Sequence, residues 1–129
     1  MSVPQNISSE IWSERLIDRL AYAHDASMYR LVPKAVIRPK HEADVQTLLS
    51  HANETKIPIT FRTGGTSLSG QSLTEGIMAE VVRGWEKYEV LNDGHSIKLQ
   101  PGVIGARANI YLSPHQRRIG PDPASINSA

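Results

Sequence analysis

The chain contains no cysteine among its 129 residues. That absence removes disulfides, thiol nucleophiles, zinc–thiolate centres and iron–sulfur ligation from it, so any redox chemistry needs a borrowed cofactor. Neither sign of charge is in excess. Lys and Arg total 14 against 13 for Asp and Glu, a formal net charge of +1, too small a field to gather polyanions. Nucleic acid is therefore not an expected partner. Aromatic residues are scarce at 5%, and Trp12, Trp85 and Tyr88 lie too far apart for a base-stacking platform; they read as packing residues. No apolar run approaches the roughly 18 residues of a membrane span, and the start from Met1 to Asn6 has neither a basic nor an apolar signal region. The expectation is a soluble, cytoplasmic protein, with membrane association left open. His24, His41, His51, His95 and His115 never share a ligand spacing with carboxylate support, so no metal site is expected and they read as surface residues.

What is present suffices for one core, with 40% hydrophobic residues. Ser8 or Ser9 can cap a helix running from Ser9 to about Ala21, in which Trp12, Leu16 and Leu20 recur at helical spacing. Between Pro33 and Pro39 a short β-branched run suits a strand that ends by the second proline. Val45, Leu48, Leu49 and Ala52 then mark one face of a helix from about His41 to Asn53, with Glu42 and Asp44 in its first turn. Ile57–Phe61 reads as a second strand, so strand, helix and strand form a βαβ unit with a parallel pair. Ile77–Val82 reads as a further strand. Tyr88–Leu91 faces Ser96–Gln100 across Asn92-Asp93-Gly94-His95, where Asp-Gly is a strong hairpin turn signal. A last helix is expected over Ile104–Leu112, before an irregular end. The class is α+β, a βαβ unit plus a mixed sheet flanked by helices.

The stretch from Arg62 to Gly76 has neither helical nor strand period and is crowded with Gly, Ser and Thr. Coming directly after a strand, such a segment exposes consecutive backbone N–H groups, and its glycines let the main chain approach a ligand closely. N–H clusters of this kind bind phosphate oxygens. Hydroxyls of Thr63, Thr66, Ser67, Ser69 and Ser72 could add donors, and Arg62 a positive charge. A flexible Gly/Ser surface loop without a ligand has the same composition. Two named motifs are excluded: Gln71 stands where a Walker loop needs lysine, and the adjacent Gly64 and Gly65 break the dinucleotide fingerprint.

The run from Pro58 to Ser72, Pro-Ile-Thr-Phe-Arg-Thr-Gly-Gly-Thr-Ser-Leu-Ser-Gly-Gln-Ser, resembles the pyrophosphate-binding segment of FAD-binding domains of the vanillyl-alcohol-oxidase (PCMH) type, in particular the D-lactate dehydrogenase and glycolate oxidase branch. Three further segments agree in order. Pro33-Lys-Ala-Val-Ile-Arg-Pro39 resembles the opening strand, Leu99-Gln-Pro-Gly-Val103 the strand-to-helix turn, and Gly120-Pro-Asp-Pro-Ala-Ser125 the segment beside the flavin. The resemblance implies FAD with its pyrophosphate over Thr63, Gly64, Gly65, Thr66 and Ser67, with Arg62, Gln71 and Ser72 nearby. It implies Pro121, Asp122 and Ser125 at the flavin end, and Pro101 and Gly102 as fainter candidates. Some relatives bind FAD covalently through a histidine after the paired glycines; here that place is Thr66, so the FAD is expected to be non-covalent.

By the same resemblance, residues 1–30 form a helical lead-in and residues 31–129 a partial FAD-binding domain truncated at its C-terminal end. The implied activity is oxidation of a small 2-hydroxy acid such as D-lactate or glycolate. Its substrate domain and catalytic residues would lie beyond Ala129, so no catalytic residue is assigned and the fragment alone is expected to be inactive. Tyr22-Ala-His-Asp-Ala-Ser27 resembles the lead-in of a subgroup whose long chains carry iron–sulfur modules downstream. The competing function is a non-catalytic module that binds a nucleotide or phosphate in the Gly/Ser loop.

Overall fold

At the start of the chain, packing overrules helical periodicity. The helix expected from Ser9 forms only over Leu16–Ala21 (α1). Ahead of it, Trp12–Ser13 (β1) is extended and pairs antiparallel with Ala35–Ile37 (β2), Trp12 opposite Ile37 and Ser13 opposite Val36. Burial gives the reason. Ile11 and Trp12 join the core with Ile37, Leu48 and Ile77, whereas Leu16 and Ile17 are each 62% exposed. One continuous helix would have held Trp12 and Leu16 on the same face. The Ser13 hydroxyl donates to Asp18 at 2.6 Å and ties the strand to the short helix.

This computed structural model describes residues 3–128. The chain divides into two compact units, one ending at Val81 and the other beginning at Val82.

In the first unit, β2 is buried throughout and stops before Pro39, as a residue without an N–H requires. The helix Glu42–Thr55 (α2) follows, with His41 and Asp44 in a reciprocal capping box. It buries Leu48 and His51. His51 is thus not the surface residue expected: it is 9% exposed and meets the Trp12 ring edge to face at 6.4 Å. Next come Ile59–Arg62 (β3) and Ile77–Glu80 (β4). The sheet order is β1-β2-β4-β3, with β4 parallel to both neighbours. The strands flanking α2 are therefore parallel but not adjacent, which corrects the direct pairing expected of them. Ile77, Met78 and Ala79 are fully buried while Phe61 is 44% exposed, so the more apolar strand takes the centre and β3 the edge.

The second unit is a hairpin and a helix. Tyr88–Leu91 (β5) and Ser96–Leu99 (β6) pair antiparallel. Asn92, Asp93 and Gly94 between them all have positive φ, at 51°, 52° and 81°, conformations that Asn, Asp and Gly tolerate best. The helix Gly105–Leu112 (α3) buries Ala108 and Leu112, and the Tyr111 ring stacks on Tyr88 at 3.6 Å. Trp12 and Trp85 are both buried, consistent with packing roles. The mixed sheet with flanking helices is of the α+β class. Among the described residues no helix is long and apolar enough to cross a membrane.

Candidate phosphate-binding loop

The edge strand β3 delivers the chain into the glycine-rich loop, and the loop returns to the sheet as β4. Along the stretch from Thr63 to Ser67, among the described residues, no backbone N–H donates to a protein acceptor. A run of consecutive open donors is what a phosphate group needs, and it lies beside a concavity of about 330 Å³. Arg62, Thr63, Gly65, Thr66, Ser67, Gln71 and Ser72 all line that concavity. Gly65 has φ +66°, the left-handed conformation that a glycine adopts without penalty.

The side chains divide into those that brace the loop and those that remain available. Ser67 donates to the Gln71 side-chain oxygen and accepts from the Gln71 N–H at 3.1 Å. Ser72 donates to Asp25 at 3.0 Å. A hydroxyl has one hydrogen, so neither serine offers it to a ligand while these bonds hold. The hydroxyls of Thr63, Thr66 and Ser69 make no hydrogen bond among the described residues; of these, Thr63 and Thr66 line the concavity.

Arg62 does not stand as a free charge beside the loop. Its Nη1 donates to the carbonyls of Tyr22 at 3.3 Å and His24 at 2.7 Å, and its guanidinium lies over the Tyr22 ring at 5.4 Å. The segment after α1 is thus attached to the loop at several points. The Ala26 N–H donates to the Gly65 carbonyl at 3.1 Å, and the Tyr29 ring packs where a Cβ at Gly70 would come within 3.1 Å. The Ser27 hydroxyl and N–H, with the hydroxyl of Ser72, hold the Asp25 carboxyl below the ordinary carboxylate range. The sequence carries an Asp-x-Ser turn pattern at Asp25 to Ser27, but nothing local to it names Ser72 as a partner.

A larger concavity of about 680 Å³, with Asn6, Thr47, Ser50, His51 and Glu54 on its wall, lies elsewhere in the first unit. Its Thr47 and Thr55 hydroxyls donate to helix carbonyls, Glu54 adds a negative charge, and no glycine stands on its wall. The glycine loop is the better anion site.

The remaining candidates lie in the second unit. Gly102 donates its N–H to the Trp85 carbonyl at 2.7 Å, and a Cβ there would strike the carbonyls of Val82 and Trp85. Close backbone approach therefore accounts for this glycine without a ligand. Pro101, Pro121 and Asp122 are exposed and Ser125 is half-buried. The turn that carries Pro121, Asp122 and Ser125 is fixed by Ile126, whose N–H donates to the Pro123 carbonyl and whose carbonyl accepts from Ala106 in the first turn of α3.

The sequence profile of the family described as FAD binding domain matches residues 33–129. The chain belongs to that family. This FAD binding domain is 33% identical over 116 residues to a D-2-hydroxyglutarate dehydrogenase of Pantoea ananatis, a match covering 87% of the chain and 11% of the relative. It is 31% identical over 101 residues to the glycolate oxidase subunit GlcD of Escherichia coli, covering 77% and 20%. Among solved structures, an alkyldihydroxyacetonephosphate synthase superposes with a TM-score of 0.76 at 15% identity, over 96% of this chain and 26% of the other. A p-cresol methylhydroxylase superposes with a TM-score of 0.63 at 15% identity, over 83% and 22%. At such identities the structural likeness speaks for the fold. The chain thus spans about a tenth of the length of the D-2-hydroxyglutarate dehydrogenases it matches.

Proposed function

We propose that the loop from Arg62 to Ser72 holds the pyrophosphate of FAD, and that the chain is the cofactor-binding part of a flavin-dependent oxidoreductase acting on a small 2-hydroxy acid. The observation that carries the reading is the open N–H run from Thr63 to Ser67 beside the concavity. Backbone donors suit a diphosphate because they add no side-chain bulk and their dipoles are fixed before the ligand arrives. Thr63 and Thr66 add hydroxyl donors, while Ser67, Gln71 and Ser72 keep the loop in shape. Pro121, Asp122 and Ser125, with Pro101 and Gly102, are assigned to the flavin end on the resemblance alone. When bound, FAD supplies the two-electron acceptor that a chain without cysteine lacks. D-2-Hydroxyglutarate and glycolate, named by the relatives, share a hydroxyl carbon next to a carboxylate, and that group defines the substrate class. The acid base and the carboxylate-binding residues are assigned to parts of the protein outside this chain.

The test uses the full-length protein. It is expected to be yellow, with flavin absorbance, and to reduce a dye in the presence of D-lactate, glycolate or D-2-hydroxyglutarate. Colourless protein that still binds ADP would replace this reading with a nucleotide-binding module. A separate expectation concerns attachment. Thr66 follows the paired glycines, and a threonine hydroxyl can donate to a phosphate but lacks the nucleophilic ring nitrogen of histidine. Acid precipitation should therefore leave the yellow colour in the supernatant. Flavin that stays in the pellet and follows a peptide containing Thr66 would show covalent attachment.

A further inference from the structure

We propose that the segment from Tyr22 to Tyr29 is a strap that sets the direction of the loop's backbone donors, with Asp25 as its positioning residue. The inference rests on the reading of that loop as the FAD pyrophosphate site. The first observation is the peptide between Gly65 and Thr66. Its carbonyl accepts from the Ala26 N–H at 3.1 Å, and in a trans peptide the carbonyl and the following N–H point in opposite directions; no peptide bond in the described chain is cis. Holding the Gly65 carbonyl toward the strap therefore turns the Thr66 N–H away from the strap, at a residue that lines the concavity. A flip of this one peptide would replace a donor with an acceptor and repel a phosphate oxygen.

Asp25 is placed to prevent that flip. One carboxylate oxygen accepts from the Ser27 N–H at 2.8 Å, which closes the turn containing Ala26, and the other accepts from the Ser72 hydroxyl at 3.0 Å, at the far end of the loop. The carboxylate thus fixes the Ala26 donor and the loop's end together. Both oxygens are engaged by protein donors, so Asp25 acts through Ser27 and Ser72 and does not bind the ligand. Its negative charge beside an anion site makes sense in this arrangement: a neutral acceptor would hold the two donors less strongly, because hydrogen bonds to an ionised acceptor are the stronger kind. Arg62, bonded to the Tyr22 and His24 carbonyls, fastens the other end of the strap.

The experiment is a flavin titration of the deflavinated full-length protein, comparing Asp25→Ala, Ser72→Ala, their double variant and Gly65→Val. Asp25→Ala is expected to weaken FAD binding by about tenfold, the effect of losing charge-assisted hydrogen bonds. Adding Ser72→Ala should cost little more, because the two residues form one linkage and partners in a shared contact are not additive. If Asp25→Ala does not fold, Asp25→Asn carries the same expected direction, since it keeps the shape but has one acceptor oxygen for two donors. Wild-type affinity in Asp25→Ala, with Gly65→Val still losing flavin, would overturn the strap and leave the loop reading standing. Fully additive losses would also overturn it, since Asp25 would then be acting without Ser72. If Gly65→Val itself binds FAD normally, the loop reading fails and the strap falls with it.

Discussion

Gly65→Val in the full-length protein is expected to raise the FAD dissociation constant by about a hundredfold or more, so that the purified protein is colourless. Two independent effects converge at this position. Gly65 sits at φ +66°, where a β-branched residue is a genuine outlier, and left-handed strain alone costs about 1–3 kcal/mol. Any Cβ there would also collide with the Arg62 guanidinium. Arg62 cannot simply withdraw, because its Nη1 is held by the Tyr22 and His24 carbonyls. The variant must either break the anchor of the preceding segment or rotate the Gly65 peptide, and both disturb the N–H run that follows. The obstacle expected from the sequence alone is a side chain in the ligand's space; the structure adds an obstacle inside the protein itself. Flavin absorbance of the purified variant and a titration with FAD measure the outcome. Full occupancy would remove the loop from the cofactor site.

Features governed by neighbours along the chain are legible in the sequence. The prolines at positions 33 and 39 bracket β2 because proline constrains its own strand. The helix α2 follows from its apolar spacing and the acidic residues of its first turn, and Asp93-Gly94 marks the hairpin turn. The glycine loop is legible for the same reason, since its small residues decide the local backbone. What escapes is fixed by distant partners. The two-residue strand β1 exists because Val36 and Ile37 lie opposite it, and β4 enters between β2 and β3 after a loop whose path has no local signature.

The candidate site shows the same division at the level of single hydrogen bonds. Donor types are readable in the sequence, but which donors stay available is not. Ser72 looks like a phosphate ligand in the sequence, yet its hydrogen goes to Asp25, 47 residues away. Ser67 is committed to Gln71. Arg62 looks like a counter-charge, yet it fastens the segment that follows α1. Residues that shape a binding loop and residues that touch its ligand are chosen from the same polar types, and only their partners separate the two.

A second glycine is expected to matter for stability before it matters for cofactor binding. Gly76 directly precedes β4, at the point where three strands converge. Its carbonyl accepts from the Lys34 N–H at 2.8 Å on the β2 side, and the next residue, Ile77, donates to the Pro58 carbonyl at 2.9 Å on the β3 side. A Cβ at Gly76 would strike that same Pro58 carbonyl and come within 2.9 Å of the proline ring. Neither obstacle is a flexible side-chain end that can swing aside. Gly76→Ala must then push β3 away from the buried Ile77 and Met78 at the start of their pairing, Ile59 with Ile77 and Thr60 with Met78. Overpacking of this kind costs about 1–3 kcal/mol, and urea unfolding of the flavin-free protein should show the loss as a lower midpoint. Because β3 leads directly into the loop at Arg62, FAD affinity should fall as well, but by less than in Gly65→Val, where the obstruction is in the loop itself. An unchanged urea midpoint in Gly76→Ala would mean that β3 can shift without cost and that the close Pro58–Gly76 approach is not what holds the edge strand.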